Sequence, residues 1–310
     1  MNKLTKAGFA GLFLSLTAVL ASCGGSSTST TDTAAVTADV YPVTVGDLTL
    51  EAQPVSIISL SPTATEMLYA IGAGSQVVAV DEYSNFPAEA VALGTTLSGF
   101  EPNIEAISGY SPDLVIISYD PGSLVEQLGT LNIPVFVAGA AMSLENVYEQ
   151  IEQLGVLTGH SQAAIEVSKT LQTGIEDAVA SVKFSEPPLS YYYELDNTYY
   201  SATSATFIGK VYQDFGVVNV ADAAAGADTS GYPQLSAEYL VKSDPQVIFL
   251  ADAQYGETAA IVSMRAGWAG ISAVKNNKVV ELPADITSRW GPRLVDFYVV
   301  IGRALSKISG

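Results

Sequence analysis

The chain has 310 residues, of which 48% are hydrophobic, and carries 13 Lys and Arg against 32 Asp and Glu, for a formal net charge of −19. Such an acidic surface repels phosphate backbones, which argues against nucleic acid as a partner. One histidine and one cysteine are too few for a zinc site or an internal disulfide, and we expect neither a metal nor a cofactor.

The N-terminus has the pattern of a secretion signal. Lys3 and Lys6 precede an apolar run from Phe9 to Leu20, which is too short to span a bilayer comfortably. Leu20-Ala21-Ser22-Cys23 resembles the lipobox of bacterial lipoproteins, whose signal is cut before a cysteine that receives a lipid. The resemblance implies a signal peptide over residues 1–22 and a lipid on Cys23. The alternative is an ordinary secretory signal with an incidental cysteine.

A flexible linker is predicted over residues 23–40. Gly24 to Val40 consists mainly of Gly, Ser, Thr and Ala, and such a segment buries too little apolar surface to offset its chain entropy. Residues 41–310 are long enough for two domains. We therefore expect an extracytoplasmic protein that is lipid-anchored to the membrane, on the periplasmic side or at the cell surface.

Strands and helices alternate along the first half of the chain. The run Asp113–Ser118 is apolar without alternation, which is typical of a strand that is buried on both faces. Alternating strands and helices predict a parallel sheet and the α/β class. In chain order the predicted elements are a strand Val55–Leu60, a helix through Ile71, a strand Val77–Val80, a helix capped by Asn103, the strand Asp113–Ser118, a helix Ser123–Leu131, a strand Val135–Val137 and a helix Leu144–Leu157.

One long helical pattern separates this half from a second, similar one. It runs from Ser161 to Val182, and Pro187-Pro188 ends it. Strands at Tyr191–Leu195, Val247–Leu250 and Lys278–Leu282 follow, with a closing helix from Pro292 to Lys307. We predict two Rossmann-like lobes with mainly parallel sheets, over 41–159 and 185–310, bridged by one long α-helix over 160–184.

The two halves share a weak internal repeat. Glu105 precedes Pro112 by seven residues, and Glu238 precedes Pro245 by seven. A buried strand follows directly in both copies. Two related lobes leave a cleft between them, which is the usual place for a small ligand.

Residues that would support catalysis are not arranged for it. His160 stands at the start of the connecting helix, no Gly-x-Ser-x-Gly segment is present, and no pair of carboxylates is singled out. We therefore predict a binding protein rather than an enzyme. A tethered surface protein with only an adhesive or structural role remains the alternative from another class.

Aromatic residues cluster near the predicted strand ends, where open α/β sheets bind ligands. Their flat faces and polar tips suit a bulky planar ligand. About half of them are expected to fill core space instead, in particular Tyr191 and Tyr193, which alternate in a strand. The cluster comprises Tyr83, Phe86, Phe100, Tyr110 and Tyr119 in the first lobe and Tyr191–Tyr193, Tyr199, Tyr200, Tyr232 and Trp290 in the second.

Two segments resemble a known family. Val55–Glu66 and Glu82–Pro87 are similar to the opening strand and the next loop of the substrate-binding proteins that serve ABC importers of cobalamin, ferric siderophores and haem. The resemblance covers nearly all of the chain from Val55 onward. It implies the class III architecture of two lobes and one bridging helix, a monomer, and an ABC permease with its ATPase as partners.

The likeness is strongest to the cobalamin-binding members. Tyr232–Glu238 resembles one of their ligand segments, and Asp285, Arg289, Pro292 and Arg293 reproduce the spacing of another. Gly99 stands where those members carry a ligand tryptophan, with Phe100 beside it. With the aromatic cluster, this gives a predicted ligand set of Tyr83, Phe100, Tyr119, Glu194, Tyr200, Tyr232, Asp285, Arg289 and Trp290.

Glu105 and Glu238 match the two glutamates that dock into arginine pockets of the permease in this family. Charge-assisted pairs with Arg are strong and directional enough for that role. The alternative is that both are solvated glutamates that stabilise helix starts through the helix dipole.

Charge distribution ranks the ligands. No Lys or Arg lies between Lys6 and Lys169, so the first lobe is a poor partner for an anionic catecholate siderophore. Haem would need a tyrosine on its iron and Arg289 for its propionates. Cobalamin is large, fringed with amides and nearly neutral, and it ranks first, ahead of a hydroxamate siderophore or haem.

Overall fold

The computed structural model describes residues 39–183, 185–224 and 230–309. The predicted signal peptide, Cys23 and the linker up to residue 38 lie outside these ranges. Within them, no helix is both long enough and apolar enough to cross a membrane.

The first lobe is built around a four-stranded parallel sheet with the order β4-β3-β5-β6. Every residue of β3 and β5, the two central strands, is buried, because helices cover both faces of a parallel sheet. A short antiparallel hairpin, β1-β2, precedes the sheet. The elements are β1 Val43–Val45, β2 Leu48–Leu50, β3 Ile57–Leu60, α1 Pro62–Ala70, β4 Val77–Val80, α2 Ala88–Val91, α3 Ile104–Ser108, β5 Leu114–Ile117, α4 Leu124–Thr130, β6 Val135–Val137 and α5 Leu144–Thr158.

The second lobe repeats this plan. After the connecting helix α6, Ser161–Ala180, its parallel sheet has the order β10-β9-β7-β8, and β9 is buried along its whole length. The elements are β7 Ser190–Glu194, α7 Phe207–Gln213, β8 Val218–Asn219, α8 Ala237–Ser243, β9 Val247–Leu250, α9 Ala259–Ser263, α10 Ser272–Lys275, β10 Val279–Glu281, α11 Ala284–Thr287 and α12 Leu294–Ser309.

Helix α6 joins the lobes and packs against α5 of the first lobe and α12 of the second. The contact with α12 depends on a close approach at Gly174, where a Cβ atom would lie 2.7 Å from Cγ2 of Val295. The helix is thus held on both sides, and the predicted connecting segment of 160–184 contains it.

The predicted α/β class with two lobes and mainly parallel sheets is confirmed. The polar caps also act where the sequence places them, since the side chain of Asn103 accepts a hydrogen bond from the backbone N–H of Ala106. The hairpin β1-β2, strand β8 and several short helices were not predicted, because three-residue elements carry little periodicity.

Candidate ligand-binding site

A cavity of about 710 Å³ lies between the lobes. The loops that line it follow the C-terminal ends of strands β3, β4, β5 and β6 in the first lobe and of β9 and β10 in the second. Parallel strands direct their carboxyl ends to the same edge of a sheet, so two facing edges create one cleft.

An aromatic surface forms the first-lobe wall. The rings of Tyr83 and Phe100 meet edge to face with centroids 5.6 Å apart, and Phe100 lies 6.2 Å from Tyr119. All three side chains are exposed, Phe100 to 62%. Tyr83 and Tyr119 line the main cavity, and Phe100 joins them in an adjoining pocket of about 290 Å³. These predicted ligand residues therefore lie together.

The backbone leaves no room for a side chain at position 99. A Cβ atom on Gly99 would lie 2.9 Å from the carbonyl oxygen of Leu60 and 3.1 Å from Oδ2 of Asp81. A side chain of any size is excluded there without movement of the backbone. Phe100 supplies an aromatic ring from the next position instead.

Arg289 directs its guanidinium group toward the first lobe. Its Nη1 donates hydrogen bonds to Oε1 of Glu66 at 2.9 Å and to Oδ1 of Asn85 at 2.7 Å. Its Nη2 donates to the carbonyl oxygen of Tyr83 at 2.9 Å and lies 3.3 Å from Oδ1 of Asp285. Although Arg289 lines the cavity, most of the donors that a ligand would need are already engaged.

Arg293 completes this contact between the lobes. It donates from Nε to Oε2 of Glu66 at 2.9 Å and from Nη2 to Oε1 at 2.6 Å. Its guanidinium also lies 4.2 Å from the ring centroid of Phe86. Hydrogen bonding to Glu66 raises the pKa of Arg293 despite its partial burial. Glu66 is only 3% exposed, and two arginines from the other lobe balance its charge.

The cavity consequently offers acceptors more readily than positive charge. Arg289 is the only Lys or Arg among the described residues that line it, whereas Glu82 and Asp285 contribute carboxylates. Asn85 also links the lobes, because its Nδ2 donates to Oδ2 of Asp285 at 3.1 Å. Within the described part of the chain, no group of three or more His, Cys, Asp or Glu could hold a metal ion.

The remaining predicted ligand residues lie in different surroundings. Trp290 lines the cavity and packs against Phe207, with ring centroids 5.3 Å apart. Tyr200 and Tyr232 are about 40% exposed but do not line the cavity, and burial raises the pKa of Tyr232. Tyr191–Tyr193 are fully buried, as expected for Tyr191 and Tyr193.

Glu194 was predicted in the ligand set, and the structure corrects this placement. Its side chain is completely buried and pairs with Arg265 through two hydrogen bonds, of 2.6 and 2.7 Å. Burial raises the pKa of Glu194, and Arg265 opposes that rise. Arg265 also binds Glu257 and lies 4.6 Å from the ring centroid of Trp268. Glu194 thus forms a buried ion pair inside the second lobe.

Sequence reasoning missed several residues that line the cavity. Gln254 and Tyr255 come from the loop after β9, and Ser118 follows β5. Tyr255 is 82% exposed. Their position directly after buried strands was the signal available in the sequence, since the ends of parallel strands form the site.

Glu105 and Glu238 occupy equivalent places on the two lobes. Each is exposed in the first turn of its helix, two residues after a capping side chain, Asn103 for α3 and Ser236 for α8. The internal repeat therefore reflects matched helix starts, one on each lobe.

The architecture is that of a bilobal binding protein. It has two α/β lobes with parallel sheets, one connecting helix, and a cavity at the facing strand ends. A family model described as periplasmic binding protein matches residues 57–286, and the chain belongs to this family. Over 304 residues, 94% of either chain, it is 30% identical to an uncharacterized ABC transporter substrate-binding lipoprotein, YvrC, of Bacillus subtilis. It is thus a substrate-binding component of an ABC transporter, which implies an ABC permease as partner.

Solved structures share the fold. The periplasmic vitamin B12 binding protein BtuF of Vibrio cholerae is 29% identical with a TM-score of 0.66, and the match covers 83% of this chain and 98% of that one. The periplasmic heme binding protein HutB of the same organism is 22% identical with a TM-score of 0.71, over 81% and 98% of the two chains. The second likeness is one of fold alone.

Proposed function

We propose that this protein captures cobalamin in the interlobe cavity and delivers it to an ABC permease driven by its ATPase. The observation that carries the proposal is a large cleft with exposed aromatic rings and polar groups. Among the described residues that line it, the one cation, Arg289, is already paired. Such a surface suits a bulky, nearly neutral ligand that is rich in amide groups.

The chemistry of the rim supports this ligand. Amide N–H groups are hydrogen-bond donors, and the carboxylates of Glu82 and Asp285 accept hydrogen bonds. The rings of Tyr83 and Tyr119 offer apolar faces with hydroxyl tips. The 29% identity to the vitamin B12 binding protein adds support.

Haem is the second candidate, because phenol groups are present at the cavity. Tyr83, Tyr119 and Tyr255 line it, and a tyrosine oxygen is a known haem ligand. The propionates of haem would, however, need cations, whereas the cavity presents the carboxylates of Glu82 and Asp285 and its Arg289 is engaged with Glu66. This arrangement favours the neutral ligand.

Titration calorimetry tests the ligand assignment. The protein is titrated with cyanocobalamin, haemin and a ferric hydroxamate under identical conditions. We expect saturable 1:1 binding of cyanocobalamin, at least about tenfold tighter than that of the other two, which corresponds to about 1.4 kcal/mol. Tighter binding of haemin or the hydroxamate would reassign the ligand, and binding of none would refute the cobalamin proposal.

We also propose that the mature protein is a monomer anchored by a lipid on Cys23. The similar Bacillus subtilis protein is described as a lipoprotein, which supports this. Mass spectrometry of the membrane fraction should detect a diacylglyceryl-modified Cys23. The Cys23→Ala variant should lose this modification and leave the membrane fraction; a variant that stays there unmodified would contradict the anchor.

A further inference from the structure

Glu66 belongs to the first lobe, yet its carboxylate binds two arginines of the second lobe. It sits on α1, directly behind the cavity wall formed by Ser61–Thr63. Both oxygens accept hydrogen bonds from arginines, Oε1 from Arg289 and Arg293 and Oε2 from Arg293. A carboxylate that is 3% exposed needs such partners, because a buried charge without them is costly.

The two arginines make different contacts. Arg293 donates hydrogen bonds from Nε and Nη2 to Glu66, and its guanidinium lies over the ring of Phe86. It does not line the ligand cavity. Arg289 does line the cavity, and there it would be the natural partner for a ligand carboxylate. Glu66 and Asn85 take its Nη1 instead.

We propose that Glu66 is a specificity-determining residue, which occupies Arg289 and so deprives the cavity of positive charge that an anionic ligand could use. Arg293 positions Glu66 for this task. The inference rests on the proposed function in that it explains why a neutral ligand is preferred over an anionic one.

The first lobe makes this role decisive. Between Lys6 and Lys169 the chain has no Lys or Arg, so cations must come from the second lobe. Among the described residues that line the cavity, Arg289 is the only one. Two carboxylates contact it, Asp285 at the cavity and Glu66 behind it, and Glu66 is the one that is buried and that also binds Arg293.

A matched pair of porphyrins measures the available positive charge. Haemin carries two propionates, and haemin dimethyl ester has the same ring without those charges. The ratio of their dissociation constants, measured by spectroscopic titration of the full-length protein in detergent, reports how well the cavity binds carboxylates. The wild-type protein should show no preference for the acid.

Substitution of Glu66 should change that ratio. In Glu66→Gln, the buried negative charge that balances Arg289 is removed while its contacts with Asn85, Tyr83 and Asp285 remain. The positive charge of Arg289 is then less compensated at the cavity, and we expect the preference for haemin over its ester to rise by about tenfold or more. The Glu66→Gln/Arg289→Gln variant should return to the wild-type ratio. The control is Glu89→Gln, which makes the same charge change at an exposed position of α2 and should leave the ratio unchanged.

Loss of a buried charge partner could also unfold Glu66→Gln. The Glu66→Gln/Arg293→Gln variant removes one charge of each sign, keeps Arg289, and should show the same gain for haemin. Circular dichroism melts establish that each variant is folded. The proposal is overturned if the ratio of dissociation constants is the same as in wild type in both Glu66→Gln and Glu66→Gln/Arg293→Gln. It is equally overturned if neither variant binds haemin.

The outcome is separable from the identity of the natural ligand. Cyanocobalamin affinity is measured in the same samples. Failure of the wild-type protein to bind it would refute the proposed ligand, whereas the porphyrin ratio would still decide the role of Glu66.

Discussion

Among single residues, the second lobe contains a buried carboxylate whose ionised form is destabilised by its surroundings. Asp252 follows β9, is 3% exposed, and neither of its side-chain oxygens has a hydrogen-bond partner among the described residues. The charged groups around it are Glu194, Glu257 and Arg265. Burial, and next the nearby Glu194 carboxylate, raise the pKa of Asp252 to about 7.

This shift makes stability depend on pH. The pKa is raised in the folded state, so the neutral form fits the interior. The stabilising effect of its proton is complete below the ordinary pKa of 3.8 and is lost as the pH rises through about 7. Ionised Asp252 then opposes folding.

We predict that Asp252→Asn is more stable than wild type at pH 8, by about 2 kcal/mol, and equally stable at a pH just below the ordinary pKa of 3.8. Urea denaturation at both pH values measures the difference. Asp244→Asn is the control of opposite sign. Hydrogen bonds from Ser272 lower the pKa of Asp244, so this variant should be less stable than wild type at pH 8. Equal pH profiles for wild type and Asp252→Asn would contradict the prediction.

At the scale of elements, the contact between α6 and α12 fixes how the lobes are linked. Gly174 on α6 admits Val295 of α12 so closely that an added Cβ atom would lie 2.7 Å from Cγ2 of Val295. Valine has little rotamer freedom in a helix. A methyl group at position 174 must therefore push the helices apart.

We predict that Gly174→Ala destabilises the protein by about 1–2 kcal/mol, because overpacking outweighs the better helix propensity of alanine. Gly129→Ala is the matched control. Gly129 also lies in a helix, α4, and has nothing within 4 Å of its added Cβ. That variant should gain about 0.5–1 kcal/mol.

Chemical denaturation of the two glycine variants measures these changes. Gly174→Ala/Val295→Ala tests the cause, since a smaller partner should recover part of the loss. If both glycine variants gain stability equally, the close approach between α6 and α12 does not limit the packing.

For the molecule as a whole, the two lobes each present an exposed glutamate at an equivalent helix start. Glu105 and Glu238 occupy the same position in the first turns of α3 and α8. Neither lines the cavity, so both lie apart from the proposed ligand site. A permease that contacts both carboxylates would sense the separation of the lobes.

We predict that Glu105→Gln/Glu238→Gln abolishes ligand uptake in cells and leaves ligand affinity within about twofold of wild type. Two exposed ion pairs with the permease are lost, while the cavity is untouched. Transport assays and calorimetry measure the two effects. The control Glu89→Gln/Glu126→Gln makes an equal charge change at exposed positions and should transport normally. A loss of affinity in the first variant would place these glutamates in ligand binding.

The fold class and the charge distribution can both be predicted from the chain alone. The unbroken apolar runs that became β5 and β9 require a sheet covered on both faces, and Asn103 starts α3 through a purely local hydrogen bond. The absence of Lys and Arg from Lys6 to Lys169 likewise needs no structure. It already weighs against an anionic ligand.

Which polar groups face the cavity depends on contacts between distant segments. Glu66 and Arg293 are 227 positions apart in the chain, and the residues around each of them do not indicate that the two form a pair. In the folded protein, buried Glu194 pairs with Arg265, and Arg289 pairs with Glu66. The carbonyl oxygen of Leu60 lies too close to Gly99 to admit a side chain there. Periodicity and caps depend on near neighbours and can be read from the sequence. The partner of a buried charge depends on which distant segments the fold brings together.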